Sequence, residues 1–487
     1  MKETGDIRID EMMPRLSEAW PVVPFEECLV PSNAAYRKLK STDIKSSGRV
    51  PVIDQGENFI SGYTDDPANE YPGPLPVIIF GDHTRRFKFV DFKFAIGAQG
   101  THLLHPFPAL TPKFFYRYLS ALNLESQGYS RHYKFLKQAL VPVPPVAEQQ
   151  RIVSKLEKLL GQVDSCQQRL NRIPTLLKRF RQSVLAAACF GRLTADWREE
   201  NPNAGDSSAL VAELEQAHEA AGGHRQGNAA PPTDEAHDLS EDLLPSSWRM
   251  TEMRTAVCPD RPITYGILKP GPDTDGGIPY VRVADFPNDR LNLKGIRRTA
   301  RKIEQTFARA RLREGDILLS IRGTVGRVCV VPRELQDANI TQDTARLSIQ
   351  PSLDPGFVKW FLRATPTQKR MQKAVKGVAV RGINIGDVRA IQLPIPPLPE
   401  QQEIVRRVKS LFTLADRIEA RFSEGRKRVE SITQAILAKA FRGELVPTEF
   451  ELAKADGRSF ESAEELLKRI KGNGQVKQTK TKRYSKK

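Results

Sequence analysis

The sequence has few cysteines, no long apolar run and none of the motifs that most often mark catalysis. Its five cysteines are scattered over 487 residues without a C-x-x-C pair, which argues against a zinc site and against a disulfide framework. The phosphate-binding pattern G-x-x-x-x-G-K-[ST] and the [DN]-P-P-[FYW] tetrapeptide of amino-methyltransferases are both missing. No apolar segment approaches the ~18 residues of a membrane span, and the first residues do not resemble an export signal. We therefore expect a soluble, cytoplasmic protein with reduced thiols and no bound metal.

The seven histidines do not form a recognisable catalytic group. His102 and His105 are close in sequence but have no set of carboxylates beside them. For His83, in the segment GDHTRR, a polar loop or a DNA contact is a better interpretation than catalysis. Because no nucleophile is accompanied by a base and an orienting group, we do not expect this chain to be an enzyme.

The chain contains an internal repeat. Residues 142–150 read PVPPVAEQQ and residues 394–402 read PIPPLPEQQ, at an offset of 252 residues. With the same offset and no gap, identical residues continue as far as Gly191 and Gly443 and just beyond them. A gap-free match over about fifty residues, outside low-complexity sequence, indicates a duplicated unit.

Each copy of the repeat predicts a long helix. The proline pairs exclude helix before them, and the Glu-Gln-Gln that follows places an acidic residue in a first helical turn. From Ile152 and from Ile404, apolar residues recur at alternating spacings of four and three, with one fault at Gly425. Each helix should have roughly 40 residues and a length on the order of 60 Å. We expect the two seams to be core residues of an antiparallel pair, with a kink or a short break near Pro174 and Gly425.

Two roles remain open for the Glu-Gln-Gln segments at 148–150 and 400–402. They are either caps of the first helical turn or contacts to partner proteins, and capping is favoured because it explains their position. The outer faces of the helices, which carry many Lys and Arg, are candidates for contacts with partner proteins or phosphates.

Charge is unevenly distributed along the chain. Lysine and arginine exceed aspartate and glutamate by 75 to 58. Residues 199–242 nevertheless contain 11 acidic residues and one basic residue among many Ala, Gly, Pro and Asn, which is typical of a flexible linker. The last 17 residues contain seven basic residues and no acidic one, which predicts a disordered tail. The positive charge elsewhere implies a polyanionic partner.

A globular unit of mixed character precedes each helix. Short apolar or alternating runs separated by polar, Gly-containing loops fill residues 50–110 and 278–350, and a helical pattern follows each region. Each unit opens at a tryptophan, Trp20 or Trp248. The helices repeat closely while the globular units differ, so we expect one common frame that carries two different binding surfaces.

Several segments carry a family resemblance when they are taken in order: VPVIDQGENFISGY, PVIIFGDHTRRFKFVDFKFAIGAQGTHLL, PVPPVAEQQRIVSKL, GIPYVRVADF, GDILLSIRGTVGR, ANITQDTARL, VRGINIGDVRAIQLPIPP, PIPPLPEQQEIVRRV and AFRGELVPTEFE. They look like the specificity (S) subunit of type I restriction–modification enzymes. The resemblance covers nearly the whole chain except the acidic linker and the basic tail, and it rests on the order and duplication of the segments.

The resemblance and the repeat together imply an α+β protein. Two globular target-recognition domains would be separated by two long helices that pack as an antiparallel coiled coil, with a pseudo-two-fold internal repeat. The expected order is a first target-recognition domain at 1–140, a first repeat helix at 141–198, an acidic flexible linker at 199–243, a second target-recognition domain at 244–392, a second repeat helix at 393–446, a C-terminal helical extension at 447–470 and a basic disordered tail at 471–487.

The resemblance also implies a DNA reader without activity of its own. Each domain would read one half of a bipartite site in double-stranded DNA, at a spacing set by the helices. The chain itself would bind no cofactor. It would assemble with two modification subunits, which methylate adenine N6 from S-adenosylmethionine, and with restriction subunits, which translocate and cut DNA using ATP and magnesium.

Side chains in loops are the best candidates for base contacts, because Arg binds guanine, and Asn or Gln binds adenine, through paired hydrogen bonds. A solvated or turn-stabilising role is an equally good interpretation at each position. In the first domain the candidates are His83, Thr84, Arg85, Arg86, Gln99, Thr101, His102, Arg131, His132 and Lys134. In the second they are Arg282, Arg322, Thr324, Arg327, Gln342, Arg381 and Asn384.

Two other classes of function remain as alternatives. A coiled-coil adaptor that binds proteins through its globular units predicts no sequence-dependent DNA affinity and no steep salt dependence. A DNA-modifying enzyme with a degenerate motif predicts methylation or nicking by the purified chain alone. The duplicated, basic, two-reader layout argues against the adaptor, and the missing [DN]-P-P-[FYW] motif argues against the enzyme.

Overall fold

The computed structural model describes residues 16–31, 35–97, 100–124, 131–222, 243–376 and 381–472. The chain divides into two compact units, and each long helix contributes one part to each unit. Unit 1 comprises residues 1–171 and 423–487, and unit 2 comprises residues 172–422. The basic tail predicted at 471–487 lies outside the described residues from residue 473 onward.

Both units combine helices with short strands. The α-helices are α1 (Pro112–Ala121), α2 (Tyr133–Leu136), α3 (Val146–Cys189), α4 (Ala195–Glu200), α5 (Ser208–Ala220), α6 (Arg301–Gln305), α7 (Pro355–Arg363), α8 (Thr365–Lys373), α9 (Ile385–Arg389), α10 (Leu398–Phe441), α11 (Glu449–Asp456) and α12 (Ala463–Gly472). The strands are β1 (Val22–Pro24), β2 (Lys38–Leu39), β3 (Val50–Ile53), β4 (Gly62–Thr64), β5 (Val77–Gly81), β6 (Phe87–Val90), β7 (Ala95–Gly97), β8 (Thr101–Leu104), β9 (Leu140–Pro142), β10 (Arg249–Glu252), β11 (Thr264–Tyr265), β12 (Ile278–Val281), β13 (Arg297–Thr299), β14 (Ile317–Ser320), β15 (Val328–Val330), β16 (Asn339–Ile340), β17 (Thr344–Leu347) and β18 (Gln392–Ile395). Within the described ranges, no helix combines the length and the apolar character needed to cross a membrane.

The long helices α3 and α10 begin directly after the proline pairs of the repeat. Each has 44 residues, and both continue through Pro174 and Gly425. The short break that was one of the two expected distortions does not occur in these fully described helices, because helix propagation is cooperative and each of the two residues has several helical turns on both sides. A Cβ atom at Gly425 would lie 3.9 Å from Leu170 Cδ2, so this position faces the other helix without crowding it.

The two long helices run antiparallel, as predicted. In unit 1 the start of α3, at Ile152, shares a hydrophobic core with the end of α10, at Phe441. In unit 2 the end of α3, at Val184, shares a core with the start of α10, at Val408. In both units the start of one long helix therefore packs with the end of the other. A pseudo-two-fold repeat requires this arrangement, and the predicted antiparallel coiled coil is confirmed.

The prediction that every seam residue is core is wrong toward the middle of the helices. Near the helix starts, Leu156 and Ile404 are fully buried. Farther along, Cys166 is exposed, and Phe180 and Ile418 are 36% and 40% exposed. A single partner helix covers only one side of an apolar stripe, so seam positions beyond the cores at the helix ends remain open.

In unit 1 the first and last strands of the globular part lie side by side. β1 pairs with β9 in antiparallel register, with Val22 opposite Pro142. Between them in sequence are a four-stranded sheet of order β2-β7-β3-β4 and a three-stranded sheet of order β6-β5-β8. The central strand β5 is buried along its whole length. Phe114 and Phe115 of α1 join the core that also contains the start of α3.

Unit 2 repeats the closure by its end strands but not the sheets. β10 pairs with β18 in antiparallel register, with Arg249 opposite Ile395. The enclosed strands form a four-stranded sheet of order β11-β17-β14-β15 and a three-stranded sheet of order β13-β12-β16. The main core joins Trp248, α7 and the start of α10. The α+β class predicted for both units is therefore confirmed.

The expectation of a flexible linker at 199–243 is wrong for its first half. The helix α5 occupies Ser208–Ala220, and its Val211 and Leu214 are buried in the main core of unit 2. The acidic residues of α5 lie on its exposed face. Acidic composition concealed a short apolar stripe whose spacing of three matches one helix face. Residues 223–242 of the predicted linker lie outside the described residues.

Replacing Leu214 tests whether this segment is part of the fold. Leu214 is fully buried, so we expect Leu214→Ala to lower the free energy of unfolding of unit 2 by about 2–4 kcal/mol. The exposed neighbour Glu215 provides a matched control, and Glu215→Ala should change stability by no more than about 0.5 kcal/mol. Urea unfolding followed by tryptophan fluorescence measures both. Equal stability of the two variants would show that the segment is a tether and not a core helix.

Candidate nucleic-acid interface

The first glutamate of each Glu-Gln-Gln segment is a buried junction. In unit 1 the indole Nε1 of Trp20 donates to Glu148 Oε1 at 3.0 Å, and the backbone N–H of Glu449 donates to Glu148 Oε2 at 2.8 Å. Glu148 is only 2% exposed, and burial raises its pKa. This carboxylate thereby joins the opening tryptophan, the start of α3 and the start of α11.

The equivalent glutamate of unit 2 makes a similar junction with different donors. Trp248 Nε1 donates to Glu400 Oε2 at 2.9 Å, and Thr194 Oγ1 donates to Glu400 Oε1 at 2.7 Å. The Arg198 guanidinium also bonds to Glu400 Oε1. In unit 2 the buried Glu400 carboxylate therefore accepts a bond from a positively charged group. In unit 1 the donors to the Glu148 carboxylate are an indole and a backbone amide, which are both neutral.

The middle glutamine of each segment holds a helix of the globular part. In unit 1 the N–H of Thr111, the N-cap residue of α1, donates to Gln149 Oε1 at 2.8 Å. In unit 2 the N–H of Asp354, the N-cap residue of α7, donates to Gln401 Oε1 at 2.9 Å. Both glutamines are fully buried. The first two residues of each segment thus anchor neighbouring elements, and only the third, Gln150 or Gln402, is exposed for other contacts.

The charge difference between the two junctions predicts unequal mutational costs. Glu400→Gln leaves the Arg198 guanidinium without its counter-charge, and we expect a loss of about 2–3 kcal/mol in the free energy of unfolding. Glu148→Gln also loses an acceptor, but it relieves the burial of a charge, so we expect a loss of about 1 kcal/mol.

Urea unfolding measures both losses, with hydrogen–deuterium exchange to assign each loss to unit 1 or unit 2. The exposed Glu424→Gln on α10 is the control and should be neutral. A larger loss for Glu148→Gln than for Glu400→Gln would contradict the charge argument.

The candidate residues of the first domain gather at one end of the central strand β5. Gly81 at the end of β5 is in register with Thr101 at the start of β8. The Asp82 carbonyl oxygen accepts from the N–H of His132 at 3.2 Å and from its Nδ1 at 2.9 Å, and the Tyr133 N–H donates to Asp82 Oδ1 at 2.7 Å. Three loops distant in sequence are thus tied to one residue. We call residues 81–86, 100–102 and 131–134 the Asp82 cluster.

Members of the Asp82 cluster differ in how far their side chains are exposed to a ligand. Thr101 and His132 are 2% and 1% exposed, so the prediction that their side chains contact DNA is not supported, and we assign both to the structure of the cluster. Arg85 donates to the Leu124 carbonyl oxygen at 2.6 Å, which occupies one of its nitrogens. Exposed side chains belong to His83, Arg86, Arg131 and Lys134, and partly exposed ones to Arg85 and His102, whereas the hydroxyl of Thr84 is buried, so a contact of this side chain with DNA is not supported. The candidate Gln99 lies outside the described residues.

His102 is held as a flat face within the Asp82 cluster. Its ring stacks on that of Tyr133 with 3.9 Å between centroids and 4° between planes. His102 Nε2 lies 3.6 Å from Asp82 Oδ2. Burial lowers the His102 pKa, and the Asp82 carboxylate opposes that effect only in part. At neutral pH the ring is therefore a neutral hydrogen-bonding group.

The lowered pKa of His102 has a consequence for stability. As pH falls below about 6.5, the unfolded chain takes up a proton at this histidine before the folded chain does, so stability must decrease. We expect the urea midpoint of unit 1 to fall between pH 7.5 and 5.5, and to fall less steeply in His102→Asn. Lys134→Gln, an exposed change in the same cluster, should retain the slope of the unmodified chain. Identical slopes for His102→Asn and the unmodified chain would refute the assignment.

Three candidate residues of the second domain, Arg322, Thr324 and Arg327, line an open pocket at the end of β14. Ser320 in β14 is in register with Thr344 in β17, which brings Arg322 near Gln342. Arg322 Nη1 donates to Gln342 Oε1 at 3.1 Å. The pocket has a volume of about 410 Å³ and is lined by Val283, Ala284, Arg322, Gly323, Thr324, Arg327 and Asp343. We call this set the Arg322 pocket.

The other candidates of the second domain have partners of their own. Arg282 binds both carboxylate oxygens of Asp285, at 2.6 and 3.0 Å. Asn384 caps α9, where its Oδ1 accepts from the Asp387 N–H at 2.8 Å. Arg381 is exposed beside the Arg322 pocket, and its carbonyl oxygen accepts from the Gly323 N–H at 3.1 Å. The turn-stabilising interpretation therefore accounts for Asn384, and a structural ion pair accounts for Arg282.

Sequence reasoning passed over the carboxylates in both places. Asp82 organises the Asp82 cluster and Asp343 lines the Arg322 pocket. Neither was among the predicted contact residues, which were chosen mainly as hydrogen-bond donors to guanine and phosphate. Each is directly adjacent to a chosen residue, His83 or Gln342. The position of each aspartate next to a predicted contact residue is the sequence feature that could have identified it.

Comparisons with known proteins agree on one family. Residues 28–175 and 269–424 match the family described as the type I restriction modification DNA specificity domain. The chain is 36% identical to the type I restriction enzyme EcoBI specificity subunit of Escherichia coli, over 74% of this chain and 71% of that one. It is 34% identical to the EcoDI specificity subunit of Escherichia coli, over 68% of each.

A solved structure shares the fold. One chain from a study of complex assembly and conformational transition of the type I R-M system superposes with a TM-score of 0.57 at 18% identity. The match covers 88% of this chain and 99% of that one. At this identity the likeness concerns the fold alone, and it includes both globular parts and the long helices.

Proposed function

Because the chain belongs to the family of type I restriction–modification DNA specificity subunits, we propose that its two globular parts read the two halves of a bipartite site in double-stranded DNA. The chain is a recognition subunit without catalytic activity, and it acts with the other subunits of a type I complex. Its long helices hold the two readers, and the length of the helices sets the spacing of the half-sites.

The presence of two different polar sites on one repeated frame is the observation that carries this proposal. The Asp82 cluster and the Arg322 pocket both lie where a buried strand, β5 or β14, ends at a loop. The first site presents the His102 ring stacked on Tyr133, and the second presents Arg322 bonded to Gln342, while the junctions at Glu148 and Glu400 are alike. A frame that is kept while its loops change is suited to reading two different sequences.

We propose two different roles for the candidate residues. Exposed basic side chains position the DNA through phosphates, and planar groups at the strand ends contact bases. The proposed phosphate contacts are His83, Arg86, Arg131, Lys134 and Arg381. The proposed base contacts are Arg85, His102, Arg322, Thr324, Arg327 and Gln342.

The proposal extends to partners and cofactors. Two modification subunits and the restriction subunits assemble on this chain in the cytoplasm. S-adenosylmethionine, ATP and magnesium are bound by those subunits, and this chain binds none of them. The open apolar side chains Leu176 and Leu414, which are 57% and 51% exposed in unit 2, are surfaces that a subunit would cover.

Genome-wide mapping of N6-methyladenine tests the proposed function. A host that expresses this chain with its neighbouring modification subunit should methylate a bipartite motif that is absent without the chain. Replacing residues 20–140 with the corresponding domain of another specificity subunit should change one half of the motif and leave the other unchanged.

Salt dependence separates the proposal from a protein-binding adaptor. The assembled complex should bind its motif at least about 1,000-fold more tightly than scrambled DNA, and the affinity should fall steeply as salt rises. If the complex folds and assembles but neither methylation nor DNA affinity depends on the chain, the adaptor becomes the better explanation.

A further inference from the structure

Arg322 differs from Arg282 and Arg327 in its hydrogen bonding. Arg282 gives two nitrogens to the carboxylate of Asp285, and Arg327 Nη1 donates to the Val283 carbonyl oxygen at 3.1 Å. Arg322 is exposed, and its Nη1 donates to the neutral amide oxygen of Gln342. This single neutral contact restricts the rotation of the guanidinium while leaving its charge and its remaining N–H groups for a ligand.

The backbone of residue 382 lies close against one side of the Arg322 stem. A Cβ atom at Gly382 would lie 2.9 Å from Arg322 Cγ and 2.7 Å from the Ile321 carbonyl oxygen. Residues 322 and 382 also pair as an antiparallel bridge. Gly382 and Gln342 therefore restrict the arginine at its stem and at its tip.

We infer that Arg322 reads a guanine in the half-site recognised by the second domain, and that Gln342 is the positioning residue that orients it. This inference rests on the proposed function. An arginine whose plane is fixed presents two parallel N–H groups, which match the N7 and O6 acceptors of guanine in the major groove. The open pocket of about 410 Å³ beside it admits the edge of a base pair.

The Asp343 carboxylate favours a base over a phosphate as the ligand of Arg322. Asp343 lines the same pocket, where it offsets part of the positive charge of Arg322 and Arg327 and so weakens the attraction for a phosphate group. A carboxylate accepts readily from the N4 amino group of cytosine, which lies beside guanine in the same base pair. Arginine and aspartate in one pocket thus complement a G·C pair.

Conservative variants of Arg322 provide the direct test. In methylation mapping with the modification subunit present, the unmodified chain should require guanine at one position of the half-motif read by the second domain. Arg322→Lys keeps the positive charge but loses the two parallel N–H groups of the guanidinium. We expect its discrimination against other bases at that position to fall by about 5- to 150-fold. The other half of the motif should not change. Arg333→Lys, an exposed change elsewhere in unit 2, is the matched control and should keep the motif.

Gln342 variants test the positioning role. Gln342→Leu removes the acceptor at similar size and should relax the same position as Arg322→Lys, while Gln342→Glu keeps an acceptor oxygen and should restore most of the guanine requirement. General loss of stability would lower methylation at all sites without changing the motif. Copurification with the modification subunit checks that each variant is folded, and if Arg322→Lys fails to assemble, the contrast between the two Gln342 variants decides.

Each result has a distinct meaning. If the unmodified chain directs no bipartite motif, the proposed function fails. If it directs one and the Arg322→Lys and Gln342→Leu variants keep it intact, the guanine inference fails while the proposed function stands. A uniform decrease in methylation with an unchanged motif would make Arg322 a phosphate contact, which also overturns the inference.

Discussion

A hydrogen bond between a buried tryptophan and a buried glutamate fixes each globular part to its long helix. The partners are 128 residues apart in unit 1 and 152 residues apart in unit 2, so each bond closes an entire domain. A buried indole N–H needs an acceptor, and a buried carboxylate needs donors, so neither partner is easily replaced alone. The adjacent pairing of the first and last strands brings the two together. The strands between these fixed ends can change without changing the attachment.

The second oxygen of each glutamate adds a third segment to the junction. In unit 1 it accepts from the first residue of α11, which follows the end of α10. In unit 2 the corresponding donor is Thr194, which follows the end of α3. Each junction therefore binds the start of one long helix to the chain that leaves the other. This is possible only if the helices run antiparallel, so the pairing of the helices and the closure of the domains are one constraint.

The repeated frame was predictable from sequence because its residues are fixed by position. Proline pairs mark where helices begin, and the Glu-Gln-Gln repeat marks their first turns. The partners of that repeat, Thr111 and Asp354, were not predictable, because they depend on where each domain places its own helix. Among candidate binding residues, Thr101 and His132 have suitable chemistry but are buried, and burial is set by tertiary packing. The acidic composition around α5 also led to a wrong prediction, that of a flexible linker. Burial of Val211 and Leu214 in the core of unit 2 makes this segment a helix of the fold.

The two candidate sites show how one frame supports different chemistry. Asp82 is buried and uses its oxygens to hold the loop of Tyr133, so its carboxylate organises and does not face a ligand. Asp343 is partly exposed and lines a pocket, so its carboxylate remains available. A neutral stacked imidazole in one unit and a guanidinium bonded to a glutamine in the other offer different hydrogen-bonding patterns. Under the proposed function, two different sites on a repeated frame would recognise two different half-sites. A difference between the two half-sites would then originate in the loops at the strand ends, because the junctions of the two long helices are alike.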